Sequence, residues 1–379
     1  MKYRVPYINY PKHYRSIRKE IDCRIRRALS RGDLVLRSDV KKFEEGLASF
    51  TGRKYGIGVG SCTDAMFLSL YAAGVGKGDE VITVSHTYIA TIDVIVHCGA
   101  KPVLIDVAED FNMDINLIEK AVTPRTKAIL PVHLNGRVCN MERILKIADK
   151  YKLIVIEDAA QALGAKFNDK MAGSFGLAGC FSFYPAKVLG SFGDAGAIVT
   201  DDKALADKLY LLRDHGEKPD YLKSPGEREE KDIVFFGFNS LLDNIQAAVL
   251  NVKLKYFNEW VQRRRAIAAI YNRWLSGVSE ISLPPPPADS GAYFDVYQNY
   301  IIRAQDRDNL VKYLKKKGVE TLVQWRVPNH LQDNLGLNHF TLNFTEQIAE
   351  KVVSLPMYPD LTDQQVKYVI SQVKDFYAS

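Results

Sequence analysis

Tyr55-Gly-Ile-Gly-Val-Gly-Ser-Cys-Thr-Asp-Ala-Met-Phe-Leu-Ser-Leu-Tyr-Ala-Ala73 opens the part of the chain that decides the fold. A short apolar strand (55–59) gives way to a turn of small residues, Gly60-Ser-Cys-Thr-Asp64, and then to an apolar helix through Ala73. The same switch of period repeats downstream. Strands are predicted at 80–84, 102–107, 127–133 and 153–157, with helices at 89–98, 116–121 and 140–151 between them. Short Val/Ile/Leu strands alternating with helices predict an α/β fold, with a mostly parallel sheet covered on both faces by helices.

On the N-terminal side, apolar residues at helical spacing predict a helix over 14–29 and an amphipathic one over 39–50, punctuated by Gly52. On the C-terminal side, a helix runs from about 201 to 213, and the polar stretch 216–234 reads as an exposed loop. A long helix over 241–275 leads towards a second domain. Pro284-Pro-Pro-Pro287 signals a stiff linker, followed by strand, helix and strand at 296–303, 308–317 and 319–323. A last helix starts near Thr362, where Thr362-Asp-Gln-Gln365 has the pattern of a capping box. The expected organisation is a large domain over 1–250 and a smaller C-terminal α+β domain over 251–379, with the helical segment 1–30 able to pack on the small domain.

Composition narrows the function classes. A length of 379 residues with 47% hydrophobic and 25% charged residues is ordinary for a soluble protein with a sizeable core. A net charge of +6 is a mild excess that suits small anions and does not suggest nucleic acid. Five cysteines, scattered at 23, 62, 98, 139 and 180, give neither a disulfide framework nor metal-ligand spacing. The first residues, Met-Lys-Tyr-Arg-Val-Pro, lack an apolar signal core, and no run approaches a membrane span. A cytoplasmic protein in a reducing compartment, without a metal and without a membrane partner, is expected.

Four islands fall at or near predicted strand ends, where open α/β sheets bind ligands. Gly60-Ser-Cys-Thr-Asp64 offers free N–H groups and the Ser61 or Thr63 hydroxyl to an anion, with simple N-capping as the bland alternative. Ile154-Val-Ile-Glu-Asp-Ala-Ala-Gln161 ends a strand in two acids. An ionised Asp158 there can cap the strand end or pair with a cationic ring nitrogen. Cys180-Phe-Ser-Phe-Tyr-Pro-Ala-Lys-Val-Leu-Gly-Ser-Phe-Gly-Asp-Ala-Gly196 places Lys187 in a loop among aromatic, Pro and Gly residues. Desolvation in such a place lowers an ammonium's pKa and makes the amine a nucleophile towards carbonyls, although alone it reads as a surface lysine. Ser182 could donate to a phosphate. Gly237-Phe-Asn-Ser-Leu-Leu-Asp243 is a polar turn before a helix, with Asn239 exposed.

Together these segments resemble the DegT/DnrJ/StrS family of sugar aminotransferases, which are fold-type-I pyridoxal phosphate enzymes like aspartate aminotransferase in architecture. The likeness runs from Phe43-Glu44 to Ser354-Leu-Pro-Met357 and Leu361-Thr362. It implies that Lys187 holds pyridoxal 5'-phosphate as an internal aldimine and shuttles the proton. It implies further that Asp158 pairs with the pyridine nitrogen and that Gln161 lies beside the ring. Cys62, Thr63 and Ser182 would hold the phosphate, and Tyr88 would stack on the ring. Asn239 would reach the phosphate in the other subunit of a homodimer. His86 is given no role.

The sequence also departs from the family pattern. Leu241 stands where Gly-Tyr-Asn-x-Arg has its arginine, and Asn135 where an aromatic is common. Trp325-Arg-Val-Pro-Asn-His330 replaces Tyr-Pro-x-Pro-x-His, which makes Trp325 and His330 the substrate candidates. The resemblance implies transfer of an amino group from L-glutamate, released as 2-oxoglutarate, to C-3 of a nucleotide-linked keto-deoxy sugar in amino-sugar biosynthesis for a surface polysaccharide (lipopolysaccharide O-antigen) or glycoside. The runner-up is the C-4 aminotransferase. A sugar 3-dehydratase is disfavoured because such relatives carry His where Lys187 stands, and a non-catalytic cofactor-binding relative is disfavoured by the intact residue set.

Overall fold

A computed structural model of the chain describes residues 3–217, 233–288 and 290–378. In chain order its elements begin with α1 (Tyr10–Arg31), α2 (Ser38–Thr51), β1 (Tyr55–Val59), α3 (Cys62–Ala72), β2 (Glu80–Val84), α4 (Ala90–His97) and β3 (Lys101–Ile105). They continue with α5 (Ile115–Ala121), β4 (Thr126–Ile129), α6 (Met141–Tyr151), β5 (Ile154–Asp158) and the short pair β6 (Lys166–Phe167) and β7 (Lys170–Met171). Then come β8 (Ala178–Ser182), β9 (Gly196–Thr200), α7 (Lys203–Leu212), α8 (Asn244–Lys253) and α9 (Phe257–Leu275). The last are β10 (Ile281–Ser282), β11 (Tyr293–Phe294), β12 (Tyr300–Ala304), α10 (Arg307–Lys316), α11 (Asn343–Ala349), β13 (Val352–Leu355) and α12 (Asp363–Ala378).

Seven strands form one sheet in the order β1-β9-β8-β5-β4-β2-β3. All pairings from β3 through β8 are parallel, and only β9 runs against its neighbours. Alternation along each strand divides the core in two. Val155, Phe181 and Val199 belong to one apolar cluster, while Ile156, Cys180 and Ile198 belong to the other. A slip of one residue would exchange the two faces, so burial on both sides holds the register. The helices α3 and α7 cover the second face, and α1, α2 and α8 contribute to the first.

A second, antiparallel sheet, β10-β12-β13, packs with α9, α10 and α12 around a third cluster. Val5 joins that cluster and forms a parallel bridge with Val319, so the chain start is laced into this region. The 250/251 division expected from the sequence falls inside α8. The capping box at the start of α12 forms: Gln365 N–H donates to the Thr362 hydroxyl at 3.2 Å, and Thr362 N–H donates back to the Gln365 amide at 3.1 Å.

Several sequence expectations change. The helix expected over 241–275 is two helices separated by a 3₁₀ turn at Leu254–Tyr256. The strand expected over 296–303 begins only at Tyr300, and 319–323 is reduced to single bridges at Val319 and Leu322. Tyr297, with φ of 50°, breaks the first of these because a left-handed residue cannot continue a ladder. Most of the polar stretch 216–234 lies outside the described residues. Among the described residues, no helix is long and apolar enough to cross a membrane.

One buried ion pair ties the first half of the sheet together. The Arg213 guanidinium, at the end of α7, donates to the Glu44 carboxylate on α2 and to Gly58 O at 2.8 Å. Glu44 in turn accepts from Gly58 N–H at 2.8 Å. The buried carboxylate is therefore both charge-paired and hydrogen-bonded, the condition under which such a group is tolerated in a core.

Candidate active site

The site forms at the carboxyl ends of the central strands. Asp158 is the last residue of β5 and lies in register with Cys180 on β8. Lys187 follows in the loop between β8 and β9. Ser61 caps α3 by accepting from Asp64 N–H at 3.0 Å, which leaves Cys62 and Thr63 in the first helical turn. Gly196 backs this turn so closely that a Cβ there would lie 2.2 Å from the Ser61 carbonyl carbon. Only glycine lets β9 approach the turn this far.

The two acids at the end of β5 separate by alternation. Glu157 points to the face of Val155, where it accepts from His133 Nε2 at 2.8 Å and from the N–H groups of Gly173, Phe175 and Gly176. Asp158 points to the other face. One of its oxygens accepts from the Thr91 hydroxyl at 2.8 Å, and the other accepts from Ala160 N–H at 3.2 Å.

Burial raises the Asp158 carboxyl above its ordinary value, opposed by Thr91, the Ala160 N–H and the charge of Lys187. The same cause lowers the Lys187 ammonium, opposed by Cys62 and Asp158. Both shifts say that the charged forms are under-compensated where they stand. A carboxylate of this kind is stabilised by a cationic ring nitrogen, and an amine of this kind is poised to attack an aldehyde. The helix start and the Ser182 hydroxyl, which accepts from Tyr184 N–H at 3.3 Å, supply donors for an anion. The residues present therefore fit pyridoxal phosphate.

Gln161 accepts from Asn135 N–H at 2.8 Å and from Asn299 Nδ2 at 3.2 Å. Tyr88 is 66% exposed in the turn before α4, three residues ahead of the Thr91 that holds Asp158. Asn239 is exposed, while its neighbour Ser240 accepts from Gly60 N–H of the same chain at 3.4 Å. Trp325 is half-buried with φ of 49°, its ring 5.0 Å from that of His86.

His330 needs correction. It is fully buried, with Nδ1 bonded to the Ser85 hydroxyl at 2.8 Å and Nε2 to Glu346 at 3.2 Å. Both ring nitrogens are committed, so this side chain is a fixture between the large sheet and 329–346, not an open sugar contact.

Sequence reasoning missed Thr91, Gln298, Asn299 and Lys253. Lys253 lines the same cleft as Lys187 and donates to Gly190 O, with burial pushing its ammonium down to about 8. A basic residue on an otherwise apolar helix face was the available signal. The others act across the fold and leave no local pattern.

A model of the DegT/DnrJ/EryC1/StrS aminotransferase family matches residues 15–374. The chain belongs to that family.

Among relatives, a "pleiotropic regulatory protein" of Geobacillus stearothermophilus is 41% identical, with 98% of each chain covered. The dTDP-3-amino-3,6-dideoxy-alpha-D-galactopyranose transaminase of Aneurinibacillus thermoaerophilus is 40% identical over 98% of this chain and 99% of that one. Among solved structures, Streptomyces venezuelae DesV in complex with a ketimine intermediate matches with a TM-score of 0.91 and 38% identity over 99% of each chain. The DegT/DnrJ/EryC1/StrS chain described here is thus a pyridoxal-phosphate-dependent sugar aminotransferase of fold type I, as the resemblance implied.

His86 carries a stability prediction. It is buried between Phe111 and Trp325, and neither ring nitrogen has a hydrogen-bond partner among the described residues. Burial lowers its pKa from 6.5 to about 4, with Asp106 opposing. The unfolded chain binds a proton below 6.5 that the folded chain refuses until about 4. Stability from this group is therefore complete above the higher value and falls on acidification through that window, by on the order of 3 kcal/mol. Denaturant titrations at several pH values should show that His86→Phe flattens this slope; an unchanged acid slope would refute it.

Proposed function

We propose that the enzyme transfers the amino group of L-glutamate to C-3 of a nucleotide-linked keto-deoxy sugar and acts as a homodimer in the cytoplasm. The observation that carries this reading is that Lys187 and Asp158 lie within each other's electrostatic reach at the carboxyl ends of β5 and β8. Lys187 would hold the cofactor and carry the proton taken from the substrate carbon. Asp158, held by Thr91 and Ala160 N–H, would pair with the ring nitrogen, and Gln161 would lie beside the ring. Cys62, Thr63 and Ser182 would hold the phosphate. Pyridoxal phosphate, when bound, supplies an electron sink.

The positional choice of C-3 is supported by the Aneurinibacillus relative, a 3-amino sugar transaminase. Leu241 in place of an arginine and Trp325 in place of a tyrosine both mark a changed acceptor pocket. A homodimer is supported by the exposed Ile233, Val234 and Phe236, an apolar patch just ahead of Asn239 that a second copy would cover. Each chain's Asn239 would then be placed to hold the cofactor phosphate of its partner. The product is an amino sugar for a surface polysaccharide such as an O-antigen, or for a glycoside.

The test is incubation of the purified enzyme and glutamate with a panel of 3-keto and 4-keto nucleotide sugars, followed by mass spectrometry. A mass change of keto to amine is expected with the 3-keto members. A product from 4-keto sugars alone would overturn the positional assignment. A second reading, cofactor binding without turnover, is favoured by the regulatory name of the Geobacillus relative. It requires that glutamate leave the protein's colour unchanged.

A further inference from the structure

The peptide groups on either side of Lys187 are both held by one side chain from the far end of the sequence. Gln298 Nε2 donates to Ala186 O at 2.8 Å, and Gln298 Oε1 accepts from Val188 N–H at 2.8 Å. The amide thus reads the loop as a neighbouring strand would, with one donor and one acceptor straddling the lysine. The next residue reaches the other part of the site. Asn299 Nδ2 donates to Gln161 Oε1 at 3.2 Å and to Asn135 Oδ1 at 3.3 Å, and Asn299 Oδ1 accepts from the Tyr7 hydroxyl at 3.0 Å.

The segment that carries these two amides is itself rigidly seated. The buried Arg264 donates to the carbonyls of Tyr297, Gln298 and Met357 at 3.0–3.2 Å. Tyr297 takes a left-handed conformation and donates through its hydroxyl to Pro285 O at 2.8 Å. Gly136, also left-handed, lies so close that a Cβ on it would come within 2.8 Å of the Tyr297 and Gln298 nitrogens. A backbone held in an uncommon conformation by this many contacts is over-determined, which is how strain persists beside functional groups.

We infer that Gln298 is a positioning residue for Lys187, fixing both flanking peptide groups and linking them through Asn299 to Gln161. The inference rests on the reading of Lys187 as the cofactor-bearing amine. A loop lysine has four rotatable side-chain bonds, so the point its nitrogen occupies is set by the backbone from which it springs. Once the peptides at 186 and 188 are released, the amine samples a wider volume and the reactive geometry is populated less.

The experiment uses the cofactor-loaded enzyme and the variants Gln298→Glu, Gln298→Leu and Lys187→Ala. Gln298→Glu keeps size and the acceptor for Val188 N–H but turns an anionic oxygen towards Ala186 O. Gln298→Leu removes both bonds, and if it does not fold, Gln298→Glu answers the same question. The pH midpoint of the visible absorbance band is expected to move by about half a unit or more in the Gln298 variants. The glutamate half-reaction should slow about tenfold, with KM changed less than threefold. A lower melting temperature with an unmoved midpoint and unchanged kcat would overturn the inference and leave Gln298 as ordinary structure. Lys187→Ala is the separate arm: a band retained there refutes the assignment of the lysine itself, whatever the Gln298 variants do.

Discussion

Lys187→Ala is expected to give a folded, colourless protein that transfers no amino group, with the glutamate half-reaction reduced on the order of 10³-fold or more. Lys187 is the amine that burial, against the opposing charges of Cys62 and Asp158, drives towards its neutral, nucleophilic form. Lys253 lines the same cleft, but its ammonium is spent on the Gly190 carbonyl from the opposite wall of the loop. It therefore cannot stand in without breaking the contact that shapes the loop. Stability should change little, because removing an under-compensated ammonium relieves a desolvation cost as it removes packing. Absorbance and single-turnover kinetics on the same preparation check both halves of the expectation. A variant that stays yellow and bleaches with glutamate would refute it.

The same residue shows how far the sequence could be read. Lys187 and Asp158 were legible because both sit where strand periodicity stops, and a sheet of parallel strands brings such ends to one edge. The Gly60 turn was legible for the same reason: an apolar strand, small residues and an apolar helix follow one another without interruption. What stayed hidden acts over long separations. Gln298 lies 110 positions from its partner at 188, within an apolar run that reads as a strand. Thr91 lies 67 positions from Asp158, one hydroxyl among several in its segment. His330 misled for the converse reason: a motif position suggested a ligand contact, whereas burial and two hydrogen bonds make it a tie between Ser85 and Glu346. Periodicity reports which face a residue occupies within its own element. It carries no information on which distant element arrives to meet it.

The neighbour of Asp158 supplies the sharpest case of that limit, and a large effect on stability. Glu157 and Asp158 are alike in sequence, yet Glu157→Ala is expected to cost roughly 5 kcal/mol of folding stability. Four donors converge on the Glu157 carboxylate: His133 Nε2–H and the N–H groups of Gly173, Phe175 and Gly176, at 2.7–2.8 Å. Cys139 N–H donates to His133 Nδ1 at 3.2 Å, so the ring proton lies on Nε2 and the imidazole cannot turn to offer a lone pair instead. Alanine leaves three backbone donors and one imidazole donor buried without acceptors, at about 1–3 kcal/mol each before any relaxation. That sum approaches the whole stability of an ordinary domain.

Glu157→Gln separates charge from acceptor geometry, because it keeps one carbonyl oxygen and turns an NH₂ group towards two of the four donors. It should lie between wild type and alanine. The pH dependence has a definite sign. Burial pushes the Glu157 carboxyl up, but the His133 hydrogen bond and the Gly176 and Gly173 N–H groups outweigh it and leave it below its ordinary 4.5. Its contribution is therefore present above that value and is lost as pH falls through the lower, folded one. Denaturant midpoints at matched slope measure the loss. The folded fraction of either variant should still bleach with glutamate, because alternation along β5 turns Glu157 to the face of the sheet opposite Asp158. A Glu157→Ala protein within about 1 kcal/mol of wild type, or one that is stable but inert, would show that the second acid serves the reaction and not the fold.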